Sequence, residues 1–361
     1  MSHSNPVEDT PSRWSVERAH AWYARQPWLV GCNFIPSNAI NQLEMWQAET
    51  FDPATIDREL GWAAGIGFNT VRVFLHNLVW EADPDGFKQR LSGFLDIAAR
   101  HGIRPMLVFF DDCWNPGARL GPQPAPRPGV HNSGWLQSPG VDIVNSGAAA
   151  WSQLETYVRD ILGSFADDGR ILLWDLYNEP GNSGNREKSL PLVKAVFEWG
   201  RAVNPSQPLT VGVWFDNEPL NEFQLAASDV ITFHHYWEPE KLECEIDRLK
   251  RYGRPVICTE WMARTTGSLV RTNLPVFARQ GVGCINWGLV AGKTNTIFQW
   301  KELIPANTLI DLQVGPEVWF HDLLCADGTP YDQNEIEIFK KLTGIRPLSS
   351  SGMILSHPAL S

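Results

Sequence analysis

The amino-acid sequence predicts a single α/β domain of the (β/α)8 TIM barrel class, and three observations carry the prediction. Eight short apolar runs alternate with amphipathic stretches along the chain. Several of those stretches carry helix start and stop signals. The length, 361 residues, exceeds that of most single domains but suits such a barrel, which commonly fills about 250 residues or more as one unit.

The runs that read as strands are Leu29 to Phe34, Thr70 to Leu75, Pro105 to Phe110, Ile171 to Leu176, Leu209 to Trp214, Val230 to His234, Pro255 to Thr259 and Val282 to Trp287. Helix-like segments lie between them: Pro53 to Ala64, Gly86 to His101, Ala149 to Phe165, Leu190 to Val203, Glu238 to Tyr252 and Ser268 to Arg279. Asp52-Pro53 is a cap followed by a first-turn proline, and His101-Gly102 is a stop before the next run. Strand, helix, strand, repeated, is the pattern of a parallel barrel. Residues 1–27 lead into the barrel at 28–346, and residues 347–361, with Ser349-Ser350-Ser351-Gly352, read as a loosely held tail.

Composition narrows the function. Acidic residues outnumber basic ones 41 to 30, a net charge of -11, and no Lys/Arg stripe is present to track phosphates, so nucleic acid is not an expected partner. Residues Met1 to Arg13 hold no apolar stretch suited to secretion. No later segment approaches the roughly 20 apolar residues of a membrane span. The expectation is a soluble, cytoplasmic protein without a membrane partner. The six cysteines have no C-x-x-C spacing, which removes zinc-ribbon and redox readings. With no H-x-H on the first strand and no H-E-x-x-H, neither a metal nor another cofactor is expected. Oligomeric state is not legible.

In a barrel, residues at the C-terminal strand ends face the active site. Two short words put a carboxylate there, 81 residues apart: Asn178-Glu179-Pro180 after the fourth run, and Glu260-Trp261 after the seventh. Hydrolysing a glycosidic bond with retention needs two carboxylates, one protonated to donate to the leaving oxygen and one ionised to attack the anomeric carbon. The word Asn-Glu-Pro recurs at Asn217-Glu218-Pro219, so the motif alone does not choose. Strand count does: Glu218 follows the fifth run, Glu179 the fourth, and Glu218 is left as a cleft-lining candidate. The other strand ends contribute Asn33, Arg72, Asp111, His234, Tyr236 and Trp287.

With these residues in place the chain resembles a glycoside hydrolase of clan A. It is most similar to family 5, the cellulase-like retaining β-glycosidases, over roughly Trp28 to Gly344. The resemblance implies that Asn178-Glu179 supplies the acid/base and Glu260 the nucleophile. The second-strand Arg of the family matches Arg72, its His-x-Tyr matches His234-His235-Tyr236, and its eighth-strand Trp matches Trp287. Where the family often ends its third strand in a His, this chain has Asp111-Asp112. Granted these positions, Tyr236 and Arg72 should hold Glu260 ionised, while burial and the Glu260 charge should raise Glu179. Asn178 should bond the sugar 2-OH.

Seventeen tryptophans are many for this length. Trp80, Trp114, Trp135, Trp237, Trp261 and Trp300 fall in loops, where indole faces suit pyranose rings; Trp114 and Trp261 are counted as substrate-binding. The proline-rich stretch within Asp111 to Ala148 reads as an ordered wall that shortens the groove. The expected activity is retaining hydrolysis of β-linked gluco-, manno- or galacto-configured oligosaccharides through a glycosyl-enzyme, exo-acting or on short substrates, with transglycosylation left open. An oligosaccharide is the expected partner. A non-catalytic carbohydrate-binding barrel is the alternative.

Overall fold

The structure is a computed structural model that describes residues 13–304 and 315–345; the tail at 347–361 lies outside the described residues. Its centre is a ring of parallel strands: β1 (Val30–Asn33), β2 (Thr70–Phe74), β3 (Arg104–Asp111), β4 (Leu173–Asn178), β5 (Leu209–Thr210), β6 (Ile231–His234), β7 (Val256–Glu260) and β8 (Gly283–Trp287). The paired order is β5-β4-β3-β2-β1-β8-β7-β6. A parallel bridge between Val213 and Phe233 joins the two ends, so the sheet closes into the expected (β/α)8 barrel.

Each strand is buried on both faces, which is why the runs are continuously apolar rather than alternating. Inside the barrel backbones approach closely: a Cβ at Gly31 would stand 1.9 Å from the Thr70 carbonyl oxygen across the β1–β2 ladder, so only glycine fits. Outside, helices Pro53–Ile66, Pro84–Arg100, Ser152–Ser164, Leu190–Val203, Pro239–Lys250 and Val270–Gln280 coincide within a few residues with the predicted segments. Asp52 caps the first as expected, its carboxylate accepting from Ala54 and Thr55.

The fifth run is the exception. It was expected to continue to Trp214, but regular pairing ends at Thr210 because the Val211 N–H donates to the Ser228 hydroxyl instead of to a strand. The chain rejoins the barrel at Val213, whose N–H reaches Thr232 O. Helix Glu218–Ala227 follows, where no helix was predicted. The helices Val16–Ala24 and Gln333–Thr343 were also missed. The former closes the barrel bottom: Trp14 and Trp22 pack on Leu29, Met106, Leu173 and Ile285. With that end sealed, function is confined to the opposite mouth.

Candidate active site

The floor of the mouth is organised by a buried cation. Arg72, wholly enclosed on β2, spends its guanidinium on groups from three other strands. Nη1 donates to Glu260 Oε1 at 2.7 Å and to Asn33 Oδ1 at 3.0 Å; Nη2 donates to Asp175 Oδ2 at 2.8 Å and Asn178 Oδ1 at 2.6 Å. A planar, permanently charged fork can hold several acceptors at fixed angles, which an ammonium cannot. Asn33 in turn donates to Thr259 O at 2.8 Å, and Asn178 Nδ2 to Asp111 Oδ1 at 2.9 Å. Arg72, Asn33 and Asp111, predicted to touch sugar, therefore lie beneath the cavity surface and position the side chains that form it.

Above them stand the two glutamates. Tyr236 donates its hydroxyl to Glu260 Oε2 at 2.7 Å. Glu179, at a left-handed φ of 42°, is turned off the end of β4 into the mouth. That conformation is sparsely populated for a non-glycine residue, and such strain gathers at functional sites. His234 Nδ1 lies 2.7 Å from Glu179 Oε1, while Asn182 Nδ2 and Cys113 Sγ stand 2.5 and 3.2 Å from Oε2. Donor atoms of Glu179, His234 and Glu260 all fall within 4.8 Å of one another. Two carboxylates and an imidazole this close could hold a divalent cation; their hydrogen bonds here make them a proton-sharing trio.

Burial sets the protonation. It raises Glu179 from its ordinary value, against the hydrogen bonds of Cys113 and Asn182. It also raises Glu260 to about 7, with the Glu179 charge pushing the same way against His234, Arg72 and Tyr236. Glu260 was expected to be held ionised by Arg72 and Tyr236; desolvation outweighs them, and the pair is raised together. Two neighbouring carboxyls that are both raised take up a proton between them before either would alone. Burial lowers His234 to about 4, so its imidazole is neutral.

The cavity has a volume of about 550 Å³. Among the predicted residues, Glu179, Glu260, Asn178, His234, Tyr236, Trp287 and Trp114 line it. Two do not. Trp261 is completely buried: Met262 turns the chain with a φ of 70°, and the indole packs on Phe277 and Phe339 as core. Glu218 is exposed at the start of helix Glu218–Ala227, and its word is a helix cap in which Asn217 accepts from Leu220 N–H. Of the other loop tryptophans, Trp135, Trp237 and Trp300 reach the cavity. Trp80 instead bonds Asp160 at 2.7 Å. Sequence reasoning missed Cys113, Asn182, Trp214, His131 and His321, which also line it.

The walls differ. The loops after β3 and β8 are stitched together over one side of the mouth: Asn132 N–H donates to Thr294 O at 2.8 Å, the Asn295 amide to Arg127 O at 2.9 Å, and His131 to Phe298 O at 2.8 Å. The loop after β1 is tied to the same wall by Asn41 and Gln42, which donate to Gly134 O and Leu136 O. The loops over β4 to β6 are tied instead by two side-chain bonds, Trp214 Nε1 to Pro180 O at 3.1 Å and Asn217 Nδ2 to Glu187 Oε1 at 2.9 Å, and that rim carries the exposed Trp237 and Ser183.

A model of the family Cellulase (glycosyl hydrolase family 5) matches residues 39–292, and the chain belongs to that family; it is a glycoside hydrolase. No match was found among curated protein sequences. Similar solved structures include a GH5_18 protein from Streptomyces cattleya in complex with Manβ1-4GlcNAc, at 14% identity and TM-score 0.60, covering 88% of this chain and 80% of that one. An exo-β-1,4-mannosidase from Opitutaceae bacterium strain TAV5 is 19% identical at TM-score 0.59, covering 94% and 62%. An endo-β-1,4-mannanase from Thermotoga petrophila is 14% identical at TM-score 0.57, covering 90% and 77%. At these identities the likeness is one of fold. No helix among the described residues is long and apolar enough to cross a membrane.

Proposed function

We propose that the chain is a retaining, exo-acting β-glycosidase on short oligosaccharides, with manno-configured sugars the first to try. The observation that carries the reading is the setting of the glutamate pair: carboxyl oxygens within 4.8 Å of each other, at the floor of a cavity sealed on one side by the seam between the β3 and β8 loops. Retaining enzymes hold their carboxyl groups about 5–5.5 Å apart, and inverting ones leave room for a water at about 6.5–9.5 Å.

In this reading the shared proton sits on Glu179 when substrate binds, because Arg72 and Tyr236 favour the charge on Glu260. Glu260 attacks the anomeric carbon while Glu179 protonates the departing oxygen, giving a glycosyl ester on Glu260. With that charge gone, Glu179 takes a proton from water, which attacks and releases the sugar with its original configuration. Asn178, fixed by Arg72 and Asp111, is oriented toward the sugar 2-OH. The stitched wall limits the non-reducing side to few units, and the open rim over β4 to β6 takes the leaving group. The choice of mannose draws support from the mannosidase and mannanase among the fold relatives.

A 2-fluoro-β-mannosyl fluoride tests the first half: mass spectrometry should show one sugar added, on a peptide containing Glu260. No label, or label on Glu218, sinks it. For the second half, mannobiose should yield monosaccharide while a mannan solution keeps its viscosity. Because Glu260 is raised to about 7, kcat/KM should fall as pH rises through about 7 and the pair loses its last proton.

A further inference from the structure

The stitched wall brings two imidazoles into the cavity that no strand end supplies. His131 comes from the loop after β3 and His321 from beyond β8; their rings are 5.2 Å apart, and both line the cavity. Each is anchored by one nitrogen to a backbone carbonyl: His131 Nδ1 to Phe298 O at 2.8 Å, His321 Nδ1 to Met262 O at 2.6 Å. A carbonyl only accepts, so both Nδ1 atoms carry the hydrogen, and in a neutral imidazole Nε2 is then a lone-pair acceptor. Burial lowers His131 to about 4 and His321 well below its ordinary value, so both are neutral.

His321 Nε2 is the telling atom. The residue is wholly buried, yet among the described residues Nε2 has no hydrogen-bond partner. A buried acceptor left unpaired is costly and calls for an explanation. The ring is flanked by Tyr236, which holds Glu260, at 5.5 Å, and by Trp300 at 5.9 Å. An acceptor in an aromatic surround, beside the tyrosine that holds the nucleophile, is matched by a hydroxyl donor on a ring lying over that nucleophile. Resting on the glycosidase reading above, we infer that His321, seconded by His131, is a specificity residue whose Nε2 accepts a hydrogen bond from a hydroxyl of the sugar being released. That hydroxyl lies away from the anomeric carbon. The site thereby selects hydroxylated hexoses over deoxy sugars.

The test uses a substitution that keeps the anchor and removes the acceptor. In His321→Asn the amide nitrogen takes the place of Nδ1 toward Met262 O, and nothing replaces Nε2. kcat/KM is measured for the aryl β-hexoside that the wild type turns over best and for its 3-, 4- and 6-deoxy analogues. Affinity for the free hexose is read separately by tryptophan fluorescence. The wild type should reject one deoxy analogue by roughly ten- to a hundred-fold, the range expected when a buried acceptor is left unpaired. His321→Asn should lose that ratio for the same analogue alone and bind the hexose about tenfold more weakly. Unchanged ratios and unchanged affinity overturn the inference. If His321→Asn does not fold, His131→Asn carries the same measurement on the neighbouring acceptor. A wild type that binds hexose with the predicted loss in the variant, yet hydrolyses nothing, refutes the hydrolase reading and leaves the inference standing.

Discussion

The word Asn-Glu-Pro occurs twice in this chain and means two different things. At 178–180 it ends β4: Asn178 is fixed by Arg72 and Asp111, and Glu179 turns at positive φ into the cavity. At 217–219 it starts a helix: Asn217 accepts from Leu220 N–H, Pro219 fills the first turn, and Glu218 faces solvent beside the positive end of the helix dipole. One copy spends its polar atoms on chemistry, the other on satisfying a helix end. Three letters therefore carry little by themselves. What precedes them decides: six strand residues buried on both faces in the first case, and a two-residue strand followed by an irregular crossing in the second.

The widest gap between the two copies should be kinetic. Glu179→Ala should lower turnover of substrates with poor leaving groups by about two to four orders of magnitude, the usual worth of a general acid. Azide should partly restore it on activated substrates. Glu218→Ala should do neither; a larger defect there, with azide rescue, would reverse the assignment.

A smaller difference should appear in stability against pH. Burial raises Glu179 above its unfolded value, so the folded state holds that proton longer than the unfolded one. The stability it contributes is present below the unfolded pKa and is lost as pH rises through the folded one. Glu179→Gln should therefore be more stable than wild type at pH 8 and converge with it near pH 4. Between the unfolded and folded pKa values its advantage should grow by about 1.4 kcal/mol for each pH step of one. The exposed Glu218→Gln should show no such trend, measured by urea titration at several pH values.

The asparagines should give the smallest and most selective contrast. Asn217→Ala should cost about 0.5–2 kcal/mol of stability, as loss of a helix cap does, with kcat intact. Asn178→Ala should lower kcat for substrates bearing a 2-OH more than for 2-deoxy analogues. Equal effects on both substrates would make Asn178 a structural residue only.

How far the sequence went follows from the same contrast. Strand ends on β4, β6, β7 and β8 were legible because the apolar runs stop abruptly at polar residues, and Glu179 and Glu260 come from that punctuation; Arg72, in the middle of β2, was picked out by its match to the second-strand Arg of the family. Trp261 was misplaced because adjacency to Glu260 suggested exposure, whereas one left-handed turn at Met262 folds the indole under the barrel wall. Helix Glu218–Ala227 was hidden because its cap read as another strand end. His131 and His321 gave no local signal: neither is near a strand end, and only long-range bonds bring them to the cavity. The joint rise of the two glutamates was not legible either, since desolvation depends on everything packed around them.

The seam between the β3 and β8 loops also bears on the order in which the molecule is assembled. It joins positions 167 residues apart, and a loop of that length has a closure entropy that a few hydrogen bonds between exposed strands of chain do not offset. Only when the intervening strands have set both loops side by side does the closure become short. The wall is then among the last parts to form, and among the first to open when the native state fluctuates. A molecule caught with its barrel complete and its seam undone would present an open groove, with both glutamates in place and no limit on chain length. Pulsed hydrogen exchange during refolding, reading the Asn132 amide against those of β4 and β7, would time the moment at which a cleft becomes a pocket.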